Sequence, residues 1–407
     1  MNTEAVRMTQ TIGAPTAAAY RAFTRSVAVR EWMCDGAVVD ARPGGRLYVW
    51  WNSGYYAAGE FTALEPERRV AFTWQGRGEP GVSQVEVVLA ASGEGVEVTL
   101  THGGFGAGDT WRKARDESQD GWTQGMENLK AVLETGQDLR YVLRPMLGIY
   151  VDEFNAEIAA RLGVPVSAGT RLSGVVAGMG AQAAGLRAGD VIIAIAGRPA
   201  DNYPSLVSAL QPHRAGDRVP VEFYRGRERC TTEMVLSRRP IPDVPATPVE
   251  LAEVVRRRQA ELFAELEGCL TGVTDAEAAY HPAPGEWNVL EVIAHLIAGE
   301  IENHIWIGDL LNDDERWSDR FENPTNVAGR VRAMAEVTPG LAEMVAAFKR
   351  RLAETAVMLA ALPPAFVAHK GTYWRLGQNM LTQLQTPAHV QEHAAQIRAA
   401  VAAARRE

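Results

Sequence analysis

Hydrophobic and polar positions change period twice along this chain, and the changes divide it into three segments. From residue 1 to about 140 the pattern is mostly of period two, the signature of strands with one buried face. Val96, Val98 and Leu100 alternate with Glu97 and Thr99, and Val85, Val87 and Leu89 share one face of SQVEVVLA. Toward residue 134 the period lengthens. Trp122, Met126, Leu129 and Leu133 recur at threes and fours, which predicts a long closing helix. One or two short helices are expected early, in TAAAYRAFTRSVAVREWM.

Residues 141–239 are richer in glycine and lack tryptophan. MLGIYVDEF leads into a short helical stretch. The proline-rich run RRPIPDVPATP follows, and residues 240–248 are expected to be a stiff, partly extended spacer belonging to neither core. From 249 to 407 strand patterns vanish. Four amphipathic stretches, beginning ELAEVV, NVLEVI, VTPGLA and AHVQEH, predict an antiparallel helical bundle. Asn288 with Glu291 forms a capping box at the second. Thr386 and Pro387 either open the last helix or lie in one that starts near Met380 and kinks there.

Bulk properties narrow the class. A chain of 407 residues is too long for a single core, and 46% hydrophobic with 22% charged residues describes a globular protein. The net charge of -9, with no long basic run, argues against nucleic acid and membrane surfaces as partners. Cys34, Cys230 and Cys269 are odd in number and far apart, which suits a reducing cytoplasm rather than a disulfide framework. The N-terminus lacks an apolar signal-like region and no run of eighteen apolar residues occurs, so a cytoplasmic location is expected.

The sharpest chemistry lies near the C-terminal end. His389 and His393 are four residues apart and share a helix face, and His295 sits on an earlier helix. Three imidazoles meeting at a point would make a divalent-metal site with an open position. The alternative is that they are ordinary helix histidines. HVQEH also fits the inverted zincin pattern with Glu392 as base. Only fourteen residues follow His393, however, and Glu407 is their sole carboxylate side chain, so a peptidase is disfavoured. Glu291, one turn before His295, and Glu392 either support the histidine ligands or are plain surface charge, the second being the simpler reading. His304, nine residues beyond His295, points about 180° away. His102, His213, His281 and His369 read as polar surface residues.

Two further features leave alternatives open or close them. Trp32, Trp50, Trp74 and Trp122 in the first segment either line an apolar cavity or fill the space between sheet and helix. The glycines Gly178 and Gly180 imitate a dinucleotide fingerprint, but VIIAIAG begins too soon afterwards for a crossover helix.

RPGGRLYVWW, GEFTALEPERRVAFTW, VEVTLTHGGF and GWTQGMENLKAVLE, in that order, resemble the START-like (SRPBCC) superfamily, in the branch named for activators of a heat-shock ATPase. The resemblance implies a helix-grip fold over 1–140 with a cavity for a small hydrophobic ligand. LGI, GVVAGMGAQAAGLRAGDVIIAIAGRPA and SLVSALQPHRAGDRVPVEFYRG resemble a bacterial-type PDZ domain, a β-sandwich or barrel-like fold, over 141–239. That implies capture of a partner's C-terminal peptide, with the amides of Leu147, Gly148 and Ile149 on its carboxylate. Such modules often accompany serine proteases, but no nucleophile elbow or room for a protease domain is found. EW-x3-E-x3-HL together with H-x3-H resembles the DinB-like family, an all-α four-helix bundle, over 249–407. The resemblance implies His295, His389 and His393 as ligands of zinc, nickel or iron, with a low-molecular-weight thiol as co-substrate in some members.

The expected class is therefore multidomain α+β, and the leading reading is a cytosolic binding and regulatory protein. The alternatives are a metal-dependent transferase using a low-molecular-weight thiol, and a non-catalytic PDZ scaffold.

Overall fold

The computed structural model describes residues 5–406 apart from Glu94, 316–323 and Thr386; the side chains of 324–326, 385 and 387–389 are also outside the description. The chain forms two compact units: Met1–Asp138 with Pro242–Glu407, and Leu139–Ile241. None of the described helices is long and apolar enough to cross a membrane.

The larger unit begins with β1 (Val6–Ile12), α1 (Thr16–Thr24) and α2 (Ser26–Trp32). Six strands follow: β2 (Gly36–Val39), β3 (Arg46–Trp50), β4 (Tyr56–Glu65), β5 (Arg69–Gly76), β6 (Ser83–Ser92) and β7 (Gly95–Gly103). They pair antiparallel in the order β1-β7-β6-β5-β4-β3-β2, and the 27-residue α3 (Asp109–Thr135) packs on the result. The period-two expectation holds. Val96, Val98 and Leu100 of β7 and Val85, Val87 and Leu89 of β6 are buried with Trp122, Met126 and Leu129 of α3. Truncating any such leucine to alanine costs about 2–5 kcal/mol, so this cluster anchors the domain.

The rest of this unit is helical: α8 (Pro248–Leu270), α9 (Asp275–Ala279), α10 (Val289–Leu311), α11 (Pro324–Val337), α12 (Leu341–Ala360), α13 (Pro364–Ala368), α14 (Lys370–Gln385) and α15 (Pro387–Ala404). In sequence, the smaller unit comes between the two stretches of the larger one. The four expected helices are α8, α10, α12 and α15, and the capping box of Asn288 and Glu291 is formed. The helices α9, α11, α13 and α14 were not legible. In α14 two glycines weaken the helical pattern. Both stand at close approaches: an added Cβ at Gly371 would meet Glu31 Oε2 at 2.5 Å, and one at Gly377 would meet Val244 at 2.4 Å. The proline-rich spacer also departs from expectation. Pro242 is buried, Val244 packs in the bundle's second apolar cluster, and the Pro245 carbonyl accepts from the Tyr373 hydroxyl at 2.9 Å. Its apolar residues are worth more buried than as an extended spacer.

In the smaller unit the elements are α4 (Leu139–Val142), β8 (Pro145–Met146), β9 (Ile149–Asp152), α5 (Ala156–Leu162), β10 (Thr170–Val175) and α6 (Gly180–Ala183). They continue with β11 (Val191–Ile195), β12 (Arg198–Pro199), α7 (Tyr203–Leu210), β13 (Arg218–Arg225), β14 (Glu228–Val235) and β15 (Ser237–Arg238). The main sheet runs β14-β13-β11-β10-β9, with β12 on β11, and β15 pairs β8. Buried Asp190, at the end of the RAGD turn, is held bidentately by Arg225 at 2.8 Å per bond and accepts from the Arg187 amide.

His102 corrects an expectation. It is not a surface residue but is fully buried on β7. Trp122 Nε1–H donates to its Nδ1 at 3.0 Å, so the neutral ring carries its proton on Nε2 and donates to Ser83 Oγ at 2.7 Å. Ser83 in turn donates to the Trp74 carbonyl at 3.0 Å. Each group in this chain is satisfied, which is what makes its burial tolerable. Ser83 donates away from the ring and is not activated as a nucleophile.

Burial holds the His102 imidazole down at about 4. Between that value and the ordinary 6.5 the unfolded chain binds a proton that the folded chain does not. Stability is therefore complete above pH 6.5 and lost as pH falls toward 4, by up to about 3 kcal/mol. Urea unfolding from pH 7 to 4 is expected to show this slope. His102→Gln, whose amide can replace both bonds, is expected to flatten it; an unchanged slope would contradict the assignment.

Candidate functional sites

In the bundle, α10 carries His295 and α15 carries His393, and their ring centroids lie 5.1 Å apart at 58°. Two imidazoles bound at tetrahedral angles to one ion, with metal–nitrogen bonds of about 2 Å, place their centroids about 5 Å apart, so the donor pair fits a metal. His393 is buried, and its Nδ1 donates to Gln396 Oε1 at 2.9 Å, which leaves the lone pair on Nε2 where coordination needs it. Trp287, just before α10, places its ring 5.0 Å from His295. The side chain of His389 lies outside the described residues. Among the described residues, no group of three His, Cys, Asp or Glu is placed to hold a metal.

The neighbouring carboxylates divide. Glu392 is exposed, as expected. Glu291 is buried rather than a surface charge, because its Oε2 accepts from the Asn288 amide and from His281 Nε2, each at 3.0 Å. The cap uses it, one turn before His295. His304 points elsewhere, to Thr355 Oγ1 at 2.8 Å. Sequence reasoning missed Gln396, and used Trp287 only as part of the motif that carries the resemblance. The signal for Gln396 was its i+3 spacing from His393, which puts it on the same face.

In the smaller unit, Leu147 is buried and its carbonyl accepts from the Ala181 amide at 2.9 Å; the Gly148 carbonyl accepts from Val176 at 2.8 Å. Gly148 has φ +76°, and an added Cβ would meet that of Met179 at 2.3 Å, so only glycine fits this bend. Ile149 then opens β9, which ends the sheet and pairs with β10 on one side. Leu147, Ile149 and the α7 residues Leu206, Val207 and Leu210 share one apolar cluster. Beside it Tyr150 and Tyr203 are exposed. The geometry is an end strand next to apolar side chains, preceded by a glycine bend.

The four tryptophans proposed to line a cavity do not stay together. Trp32, Trp74 and Trp122 lie in the core of the sheet and α3, with the last two 5.5 Å apart. Trp50 is on the opposite face of β3 from buried Leu47 and Val49, and stacks on Tyr48 at 5.5 Å. Period two decides this, since residues 47 and 49 take the inward positions.

Residues 13–134 match the family described as Activator of Hsp90 ATPase homolog 1-like protein, residues 145–236 the PDZ domain, and residues 238–397 the DinB superfamily. The chain is similar to the periplasmic pH-dependent serine endoprotease DegQ of Escherichia coli, at 30% identity over 99 residues, covering 24% of this chain and 22% of that protein. It is also similar to the serine protease Do-like HtrA of Lactococcus lactis, at 33% identity over 102 residues, covering 24% and 25%. It thus spans no more than 25% of the length of either. Among solved structures it is similar to a protein from Mesorhizobium loti, with 23% identity, 32% of this chain and 96% of that one covered, and a TM-score of 0.29. An HSP90 activator from Plasmodium falciparum gives 23% identity, 32% and 95% coverage, and a TM-score of 0.28. In chain order, the protein carries a domain of the Hsp90-ATPase-activator-like family, a PDZ domain and a domain of the DinB superfamily.

Proposed function

We propose that this chain is a cytosolic binding and regulatory protein whose PDZ domain captures the C-terminal peptide of a partner protein. The observation that carries this is the end strand β9 opening directly after Gly148. A peptide added there would gain main-chain hydrogen bonds, and the amides at Leu147, Gly148 and Ile149 would face its carboxylate. Cys34, Cys230 and Cys269 are not disulfide-bonded, which suits a reducing compartment.

The second reading, a metal-dependent transferase using a low-molecular-weight thiol, is supported by the His295 and His393 pair. These two, with His389, would hold the ion. A divalent cation held by neutral imidazoles lowers the pKa of a bound thiol toward neutrality. Gln396 would fix the tautomer of His393, and Trp287 would keep water from one side of His295. For the helix-grip interior, a small apolar ligand would touch Trp32, Trp74 and Trp122. These rings already pack on protein groups, so a guest must displace side chains.

Two measurements on the full chain test these readings. A labelled peptide with a free C-terminal carboxylate is expected to bind at least about tenfold more tightly than its amidated form. Equal affinity for both would remove the PDZ reading. Elemental analysis is expected to find about one divalent metal per chain, and less than a tenth of that in His393→Ala. A wild-type protein that takes up no zinc, nickel or iron would remove the transferase reading and leave the peptide-binding one intact.

A further inference from the structure

Helix α2 presents two faces, and each is buried in a different domain of the larger unit. Val29, Trp32 and Met33 belong to the core of the sheet and α3. Val27, on the other face, is fully buried in a cluster with Leu251, Ile307, Leu359 and Leu376 of the bundle. Charged side chains surround this plug. Arg30 Nη1 meets Glu315 Oε2 at 2.7 Å, and Arg375 of α14 grips the same carboxylate through bonds of 2.6 and 3.0 Å. Trp306 Nε1–H donates to it as well, at 2.6 Å. From α1, Arg21 forks onto Asp313 at 2.5 and 3.2 Å and donates to Thr372 Oγ1 at 3.1 Å. Thr372 donates to Glu31, which is buried. Asp313 takes φ +54° to reach this position, a left-handed conformation that aspartate tolerates better than most residues.

These contacts are not those of two domains resting side by side. A carboxylate with side-chain exposure of 7% is met by arginines from two domains, so removing Arg30 while the interface stays closed would leave a buried charge short of a partner. Glycine stands where backbones approach most closely: a Cβ at Gly136, the C-cap of α3, would lie 2.6 Å from the Lys370 carbonyl.

We propose that α2 is an element shared by the helix-grip domain and the bundle, and that through it the two open and close as one cooperative body. Whatever stabilises one interior then stabilises the other. The reading depends on neither the metal nor the peptide.

Hydrogen exchange of the full chain, read by mass spectrometry, tests this. Leu100→Val removes one methylene from the sheet core, where Leu100 is fully buried. The slowest amides of α10 and α12 are expected to exchange about fivefold faster in this variant, matching those of β7. In an Arg30→Gln background, the same Leu100→Val change is expected to leave α10 and α12 untouched while still accelerating β7. If Arg30→Gln does not fold, Thr372→Val provides the second background. Bundle amides that ignore Leu100→Val in the otherwise native chain would overturn the proposal. So would acceleration of equal size in both backgrounds, because coupling would then not run through this cluster.

Discussion

A carboxylate taken out of water must be answered by cations and donors, and much of the larger unit is arranged around that need at Glu315. Its two oxygens are shared among Arg30, Arg375 and Trp306, which come from three helices far apart in sequence. Satisfying one buried charge therefore fixes the position of α2 against α10 and α14. The apolar plug at Val27 gains its burial from the same placement, and the glycines of α3 and α14 permit it. Such pairs add little net stability over a well-packed apolar contact, but breaking one is costly. Their effect is to specify one arrangement.

The candidate chemical sites obey the same accounting on a smaller scale. His393 has one nitrogen committed to Gln396, and Glu291 is spent on the α10 cap and His281. Burial keeps His102 neutral, and its two partners, an indole N–H and a hydroxyl, fix where its single proton sits. What distinguishes the bundle pair from the sheet histidine is therefore the neighbourhood: His393 and His295 face each other across two helices, whereas both ring nitrogens of His102 are taken by an indole and a hydroxyl.

Local periodicity made much of this fold legible. The alternation in β6 and β7, the four long bundle helices and the Asn288 cap all follow from neighbours within a few residues. The loop at Leu147, Gly148 and Ile149 was legible only through the resemblance of LGI to PDZ domains, not through periodicity. What was hidden depends on partners far along the chain. Helix α14 looks weak because Gly371 and Gly377 have no side chain, and the reason for that is Glu31 and Val244. Buried His102 reads as polar surface because no window of sequence contains its partners, and Glu31 and Glu315 carry no local sign of burial for the same reason. Trp50 was grouped with the interior rings by residue type, although its place in the alternation of β3 already assigned it to the outer face. The spacer failed for a related reason. Proline content indicates a stiff backbone, but says nothing about an apolar surface waiting for Val244.

The order of the chain adds a consequence for the PDZ domain. The polypeptide leaves the larger unit at Asp138 and rejoins it at Pro242, so both ends of the intervening segment are held by one folded body. If the PDZ domain melts while that body stays intact, its chain is a closed loop rather than a free coil. The configurations open to such a loop are fewer, by an amount comparable to a cross-link of that span, about 4–5 kcal/mol in a simple chain-entropy picture. Embedded midway in its host, the module is thus stapled without any disulfide, and the same sequence excised at both joints would give up that advantage.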